Sequence, residues 1–374
     1  MSRSKPRYLD VDCYTEAKRR IREIVELFDD LTVGFSGGKD SLATLHLVEE
    51  VYAEMGIKRK INVHFKDEEF YPEDVINLLK EYHDSGKYNF DWIALPVTAQ
   101  KVYLGHSANI VLFDPSRKWA RKPPPYALTD TSGKVYDKYT MNEIIARNIK
   151  GHVALLTGQR TAESIFRLRS VLNKINQPYI THTTTPRVAM CKPIYDWQER
   201  DVFLYFLKRG IKYSPIYDAQ MYSTETLRVA TPFIAEGADR FHLLKTRDPD
   251  FWARIIDIFP EMETQARYTR QLAKSTVEEL PYERSEAGLI QFVKDTAAPN
   301  MRAFAVKMIT RCLLTRRRKM AAGATDLGGY PLRMLFQRVA HGSIKRHITP
   351  MKPSRLDYEF EGITYSGVHD GETC

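Results

Sequence analysis

The 374-residue chain has four cysteines, Cys13, Cys191, Cys312 and Cys374, and no two of them lie close together in sequence. That scatter argues against a disulfide framework, and without a Cys-x-x-Cys pair neither zinc nor an iron–sulfur cluster is expected. No apolar run approaches the roughly 20 residues of a membrane span. The polar start Met1-Ser-Arg-Ser-Lys has no signal-peptide core, so a cytoplasmic location is expected. Acid is missing from one stretch, because residues 301–355 hold thirteen Lys and Arg against a single carboxylate, Asp326. A basic surface of this kind suits a nucleic-acid backbone, although basic proteins are often simply soluble and basic. With 43% hydrophobic and 28% charged residues, the chain is of globular composition and long enough for two domains, or for one with an extension.

The most informative stretch is Leu31-Thr-Val-Gly-Phe-Ser36-Gly37-Gly38-Lys39-Asp40-Ser41. Its apolar start reads as a buried strand. The two glycines make a turn that runs directly into a helix, with Leu42, Leu45, Val48, Val51, Tyr52 and Met55 on one stripe and Gly56 at its end. Strand, glycine turn and helix start together make an anion site, since backbone N–H groups can approach a phosphate and the helix N-terminus adds unpaired donors. Lys39 supplies a cation, and Ser36 and Ser41 supply hydroxyls. The Walker A pattern is excluded, because the glycine it needs five residues before Gly38 is missing and Val33 stands there.

Around this turn, strand and helix patterns alternate. Residues 12–28 predict a helix, Ile61–Phe65 a second strand, Glu73–His83 a helix opened by Pro72, and Asp91–Val97 a third strand. Met141–Asn148 reads as a helix and residues 152–158 as a fourth strand. The alternation implies a parallel sheet covered on both faces, with ligands outside the carboxyl ends of the strands. The acidic turn Asp67-Glu68-Glu69 would lie there with the glycine turn. Residues 99–140 break the rhythm. Ser116-Arg-Lys-Trp-Ala-Arg-Lys-Pro-Pro-Pro125 reads as a lid, a substrate-contact loop or a disordered surface loop. After the fourth strand, Arg160, Glu163, Ser164 and Arg167 would share one face of a helix and offer two guanidiniums to phosphate. A further helix follows Lys192-Pro-Ile-Tyr-Asp-Trp197 and ends near Gly210, its stripe Val202, Tyr205 and Phe206 reading as core. From about Gln220, helix patterns dominate at 251–259, 262–273, 286–296, 301–319 and 331–338, and the tail after Thr349 reads as irregular.

The hexapeptide Ser36–Ser41, the acidic turn Asp67–Pro72, the segment Gly158-Gln-Arg160-x-x-Glu163-Ser164-x-x-Arg167, the run Lys192–Trp197 and Ser214-Pro-Ile-Tyr217-Asp218 occur together in this order. In these residues the chain resembles the phosphoadenosine phosphosulfate (PAPS) reductase-like branch of the PP-loop ATP pyrophosphatases, a branch that includes DNA sulfur-modification and phage-encoded proteins. The resemblance implies an α/β fold with a doubly wound, mainly parallel sheet. Its domains would be an N-terminal helix (1–29), a PP-loop domain (30–220) and a basic, mostly helical region (221–374). It further implies that Ser36, Gly37, Gly38, Lys39, Asp40, Ser41 and Gly158 bind the nucleotide. Asp67 and Glu69 would lie near the ribose or adenine, and Arg160 and Arg167 would face phosphate or the second substrate. Lys39, Asp40, Arg160 and Arg167 make the implied catalytic set, with ATP as cofactor and Mg²⁺ beside Asp40.

The chain departs from the reductases at its end. Their Glu-Cys-Gly-(Leu/Ile)-His setting is absent, and Cys374 is the only cysteine in the tail. The leading expectation is therefore an ATP pyrophosphatase that adenylates a nucleic acid, DNA slightly before RNA, through the basic region 301–355. A sulfur-donor or other modification protein would be its partner. The alternatives are sulfonucleotide reduction by Cys374, and a nucleotide-binding DNA-associated regulator without turnover.

Overall fold

A computed structural model describes residues 10–103, 106–137, 140–172, 177–222, 227–229, 231–233, 237, 240–274, 277–297, 299–340, 344 and 348–364. The chain divides into two compact units, the first made of Met1–Ala99, Ile110–Thr231 and Asp250–Ile258, the second of Gln100–Asn109, Pro232–Pro249 and Phe259–Cys374.

The first unit is built on a seven-stranded sheet. Its strands are β1 (Asp30–Gly34), β2 (Ile61–Lys66), β3 (Tyr88–Ala94), β6 (Leu128–Thr129), β7 (Val153–Leu156), β8 (Ile180–His182) and β9 (Val188–Cys191). The spatial order is β6-β3-β2-β1-β7-β9-β8. Every pair is parallel except β8 with β9. β1 sits centrally, and Leu31, Thr32 and Val33 are all buried, as a strand covered on both faces requires. Strand order reverses between β1 and β7, which lie side by side with Val33 opposite Leu156. The carboxyl ends of these two strands form the crevice where an open α/β sheet takes its ligand.

The helices of this unit are α1 (Cys13–Leu27), α2 (Lys39–Glu54), α3 (Glu73–Asp84), α4 (Met141–Ala146), α5 (Ile165–Leu172), α6 (Glu199–Arg209) and α7 (Ile216–Tyr222). Asp12 caps α1 by accepting the Thr15 amide at 2.9 Å. Ala17, Ile21 and Ile24 then turn inward to join Leu42, Leu45 and Val48 of α2 in one core with Phe35, Phe65 and Trp92. Gly210 ends α6 in the left-handed conformation, and Val202, Tyr205 and Phe206 of that helix are buried as core. The third strand starts at Tyr88, earlier than its sequence suggests, and the short strands β8 and β9 lack a recognisable sequence period.

Residues 97–112 hold a hairpin, β4 (Val97–Tyr103) with β5 (His106–Leu112), where an irregular excursion was expected. Its outer residues belong to the second unit, where the Val102 amide donates to the Phe233 carbonyl at 2.8 Å. Helices α8 (Phe241–Arg247), α9 (Pro249–Ile258) and α10 (Glu261–Lys274) follow. All of α9 but Pro249 belongs to the first unit, where Asp257 pairs with Lys118.

The second unit has its own core on α11 (Glu286–Thr296), α12 (Pro299–Ala321), α13 (Leu332–Ala340) and α14 (Arg355–Phe360). Leu289, Phe292, Ile309, Leu335, Phe336 and Phe360 pack within it. The tail was expected to be irregular, yet α14 carries a capping box of Ser354 with Asp357 and buries Phe360. Glu361, just beyond it, accepts the buried Arg316 guanidinium at 2.9 Å and the Leu332 amide at 2.7 Å. Among the described residues, no helix is long and apolar enough to cross a membrane.

His64 of β2 is 3% exposed and hydrogen-bonds Thr32 of β1 at 2.9 Å. Burial first, then the nearby Lys66 charge, push its pKa down to about 3. The unfolded imidazole takes its proton near pH 6.5. Between those values the unfolded chain binds the extra proton, so this stabilising contribution is complete above about pH 6.5 and is lost as pH falls. Urea midpoints should drop between pH 7 and 5, and His64→Gln should flatten that slope; an unchanged slope would refute the assignment.

Candidate nucleotide site at the carboxyl ends of the strands

The glycine turn leaves β1 and enters α2 with Gly37 at φ 71°, a left-handed value that favours glycine. A Cβ there would also stand 2.8 Å from Val75 Cγ1. Gly38 is the N-cap and carries no side chain to close the helix end. The amides of Gly37, Gly38 and Asp40 consequently find no acceptor among the described residues, whereas the Lys39 amide donates to the Tyr217 hydroxyl at 2.7 Å. Ser41 spends its hydroxyl on the Gly38 carbonyl at 2.8 Å and lies 3.2 Å from the Ser36 hydroxyl, so these side chains mainly hold the turn.

Gly158 follows β7 and approaches the turn closely. A Cβ on it would fall 2.4 Å from the Asp40 carbonyl carbon and 2.6 Å from the Ser41 nitrogen. Backbone therefore meets backbone, and the neighbouring Arg160 reaches Asp40 with its Nε at 2.6 Å. Arg160 is 3% exposed and its next residue is tied down, since the Thr161 amide donates to the Tyr195 carbonyl at 2.7 Å. The run Lys192–Trp197 thus acts as a clasp. On its other side Asp196 takes Arg20 of α1 through two contacts of 2.7 Å.

Lys39 is 3% exposed. Its ammonium donates to the Leu227 carbonyl at 2.8 Å and to Asp40 at 3.2 Å, and lies 3.6 Å from Glu199. Both oxygens of Asp40 are thus engaged by cations, and the described residues hold no cluster of three or more His, Cys, Asp or Glu suited to a metal. A Mg²⁺ ion at Asp40, as the resemblance implies, would share this carboxylate with Lys39 and Arg160.

Residues 160–167 do not form the single helix expected. A 3₁₀ turn covers Thr161–Glu163, Ser164 is extended at φ −162°, and α5 begins after it. Arg167 nevertheless pairs with Glu163, which also lies 3.9 Å from Arg160. Burial first, then the charge of Arg228, hold the Arg167 guanidinium below its ordinary pKa.

The acidic turn after β2 holds the chain that follows it as well as lying at the strand end. Glu69, fully buried at φ 63°, accepts the Phe113 amide at 2.6 Å, the Ala120 amide at 2.9 Å and Arg117 through two contacts of 2.7 Å. Asp67 accepts Trp92 Nε1 at 2.8 Å and pairs with Arg121. The basic 114–125 loop is thereby latched onto the sheet and is not free as a lid, while Asp67 and Glu69 have their oxygens taken. Glu68 between them has no side-chain hydrogen bond among the described residues, and burial raises its pKa.

Residues 30–231 match the family model of the phosphoadenosine phosphosulfate reductase domain. The chain belongs to this family. The PAPS reductase domain accounts for more than half of the sequence and ends just past Arg228. The chain is 28% identical over 265 residues to the uncharacterized protein YbdN of Escherichia coli K12, a match covering 66% of this chain and 64% of the relative, under two thirds of the latter's length. Among solved structures, it is similar to a PAPS reductase of Candida auris in a phosphate complex (11% identity, 58% of this chain and 90% of that one, TM-score 0.33). An FMN adenylyltransferase of Candida glabrata with FMN and an ATP analogue matches at 12% identity over 55% and 59% of the two chains (TM-score 0.38). A U34-tRNA thiolase of Methanococcus maripaludis with a [4Fe-4S] cluster matches at 15% over 70% and 80% (TM-score 0.31). Scores of this size carry no weight beyond the geometry already described.

Tyr217, Gln220, Arg228 and Glu68 were not picked out as site residues by sequence. Tyr217 and Glu68 stood within quoted motifs, but Gln220 and Arg228 had no spacing that marked them. Two outcomes test the geometry. Glu69→Gln removes one partner of a buried ion pair and should cost about 3–5 kcal/mol in urea unfolding. Gly158→Ala should leave a folded protein that has lost nucleotide binding by calorimetry; retained affinity would show that the close approach is dispensable.

Proposed function

We propose that this chain is a PP-loop ATP pyrophosphatase that cleaves ATP between the α- and β-phosphates and adenylates a nucleic acid. The observation that carries this reading is the trio of amides at Gly37, Gly38 and Asp40 with no acceptor among the described residues, beside the Lys39–Asp40–Arg160 ion pairs at the strand-order reversal. An acceptor oxygen would attack the α-phosphorus while the bond to the bridging oxygen breaks, and pyrophosphate would leave with the electron pair. The chain's contribution is donors aimed at the charge that develops on the phosphates, held rigid before the reaction begins. Lys39 and Arg160 are pre-oriented by Asp40, so little reorganisation is needed. Mg²⁺ would enter with the nucleotide. Glu68, rather than Asp67 or Glu69, is the carboxylate of its turn with capacity left for a ribose hydroxyl.

A thiol mechanism has less support. Burial raises the Cys13 thiol to about 11 and the Cys312 thiol to about 11, and Cys191 is fully buried. Cys374 lies outside the described residues. For the acceptor, α12 offers Lys307, Arg311 and Arg318 exposed on one helical face, none paired with a described carboxylate. They span about 16 Å of helix at 1.5 Å per residue, a length over which several backbone phosphates can be met.

The test is pyrophosphate release from MgATP with pooled DNA and RNA. Wild type should release it, one pool should stimulate it with steep salt dependence, and Lys39→Ala should lower kcat by about 100-fold or more. Undiminished release from that variant would remove the reading.

A further inference from the structure

The segment Leu227-Arg-Val229 lies across the glycine turn. Its first residue accepts the Lys39 ammonium at 2.8 Å, and its last stands 3.9 Å from the position of a Cβ on Gly38. Gln220 of α7 fixes the residue between them, donating to the Arg228 carbonyl at 2.8 Å and accepting its amide at 2.9 Å. The same helix supplies Tyr217 to the Lys39 amide. Arg228 is therefore held by its backbone at the edge of the phosphate site while its side chain stays exposed.

The charges around it do not balance. Lys39 is offset by Asp40 and Glu199, Arg160 by Asp40 and Glu163, and Arg167 by Glu163. Arg228 pairs with no carboxylate among the described residues, and it acts on Arg167 as a like charge. Bringing a second guanidinium towards a half-buried one is unfavourable unless an anion lies between them.

We propose that Arg228, together with Arg167, forms an anion subsite beside the glycine turn that takes a second phosphoryl group, separate from the one facing the Gly37–Asp40 amides. This rests on the phosphate reading of the turn. The group has two possible sources of the same chemistry, the pyrophosphate end of the nucleotide or a phosphodiester of the acceptor strand. A planar guanidinium on a fixed backbone suits either, since it can make two parallel bonds to phosphate oxygens.

Binding of inorganic pyrophosphate, AMP and a single-stranded DNA oligonucleotide to the full chain separates these outcomes. Arg228→Ala should weaken pyrophosphate about tenfold or more while AMP is unchanged, as expected for loss of a charge-assisted bond, and Arg228→Lys should recover part of the loss. If only the oligonucleotide is weakened, the subsite belongs to the acceptor. Pyrophosphate and oligonucleotide affinities both within twofold of wild type, or AMP weakened as much as pyrophosphate, would overturn the subsite. Arg228-dependent pyrophosphate binding in a wild type that releases none from ATP would sink the adenylation reading and leave the subsite standing. No binding of any probe to wild type would sink both.

Discussion

Backbone contact between Gly158 and the Asp40–Ser41 peptide is the constraint on which the rest of the site depends. It lets the chain just beyond the paired strands β1 and β7 close up, bringing together two segments separated by more than a hundred residues. Asp40 and Arg160 meet only because no Cβ intervenes. The ion pair between them is a poor source of net stability, since both charges are taken from water. Its effect is positional. Arg160 and Lys39 share one carboxylate, and each is held where the other cannot collapse onto it.

A second contact of the same kind organises the neighbouring wall. Glu69 gives a buried carboxylate to two backbone amides and one guanidinium, in a left-handed conformation that a glutamate rarely adopts. Such a residue holds because the surrounding donors over-determine it. The loop that carries Arg117 and Arg121 owes its course to that acid and to Asp67. A run rich in Pro, Lys and Arg thus takes one conformation without regular secondary structure of its own.

These two contacts also mark how far the sequence could be read. The glycine turn, the alternating strands and the helices of the second unit were legible because period and punctuation agree there, as in Leu42–Met55 and Glu286–Thr296. The 160–167 segment was not, because a helical spacing of charges says nothing about Ser164 adopting extended backbone. The hairpin at 97–112 was hidden by the basic, proline-rich run that follows it. The resemblance put Asp67 and Glu69 near the ribose or adenine, and only the structure shows that both are buried and paired with Arg121 and Arg117. Arg228 carried no signal at all, since its placement comes from Gln220, eight residues earlier.

Gln220 shapes this edge of the crevice through main-chain atoms alone. Its side-chain amide meets the Arg228 backbone as a neighbouring peptide unit would, one donor and one acceptor together. One edge of the crevice thereby has the order of a β-ladder with no strand present. Because the grip is on main-chain atoms, it is indifferent to which side chain projects from the gripped residue. The side chain at this edge can therefore be changed by a single substitution while the backbone that carries it keeps its hold.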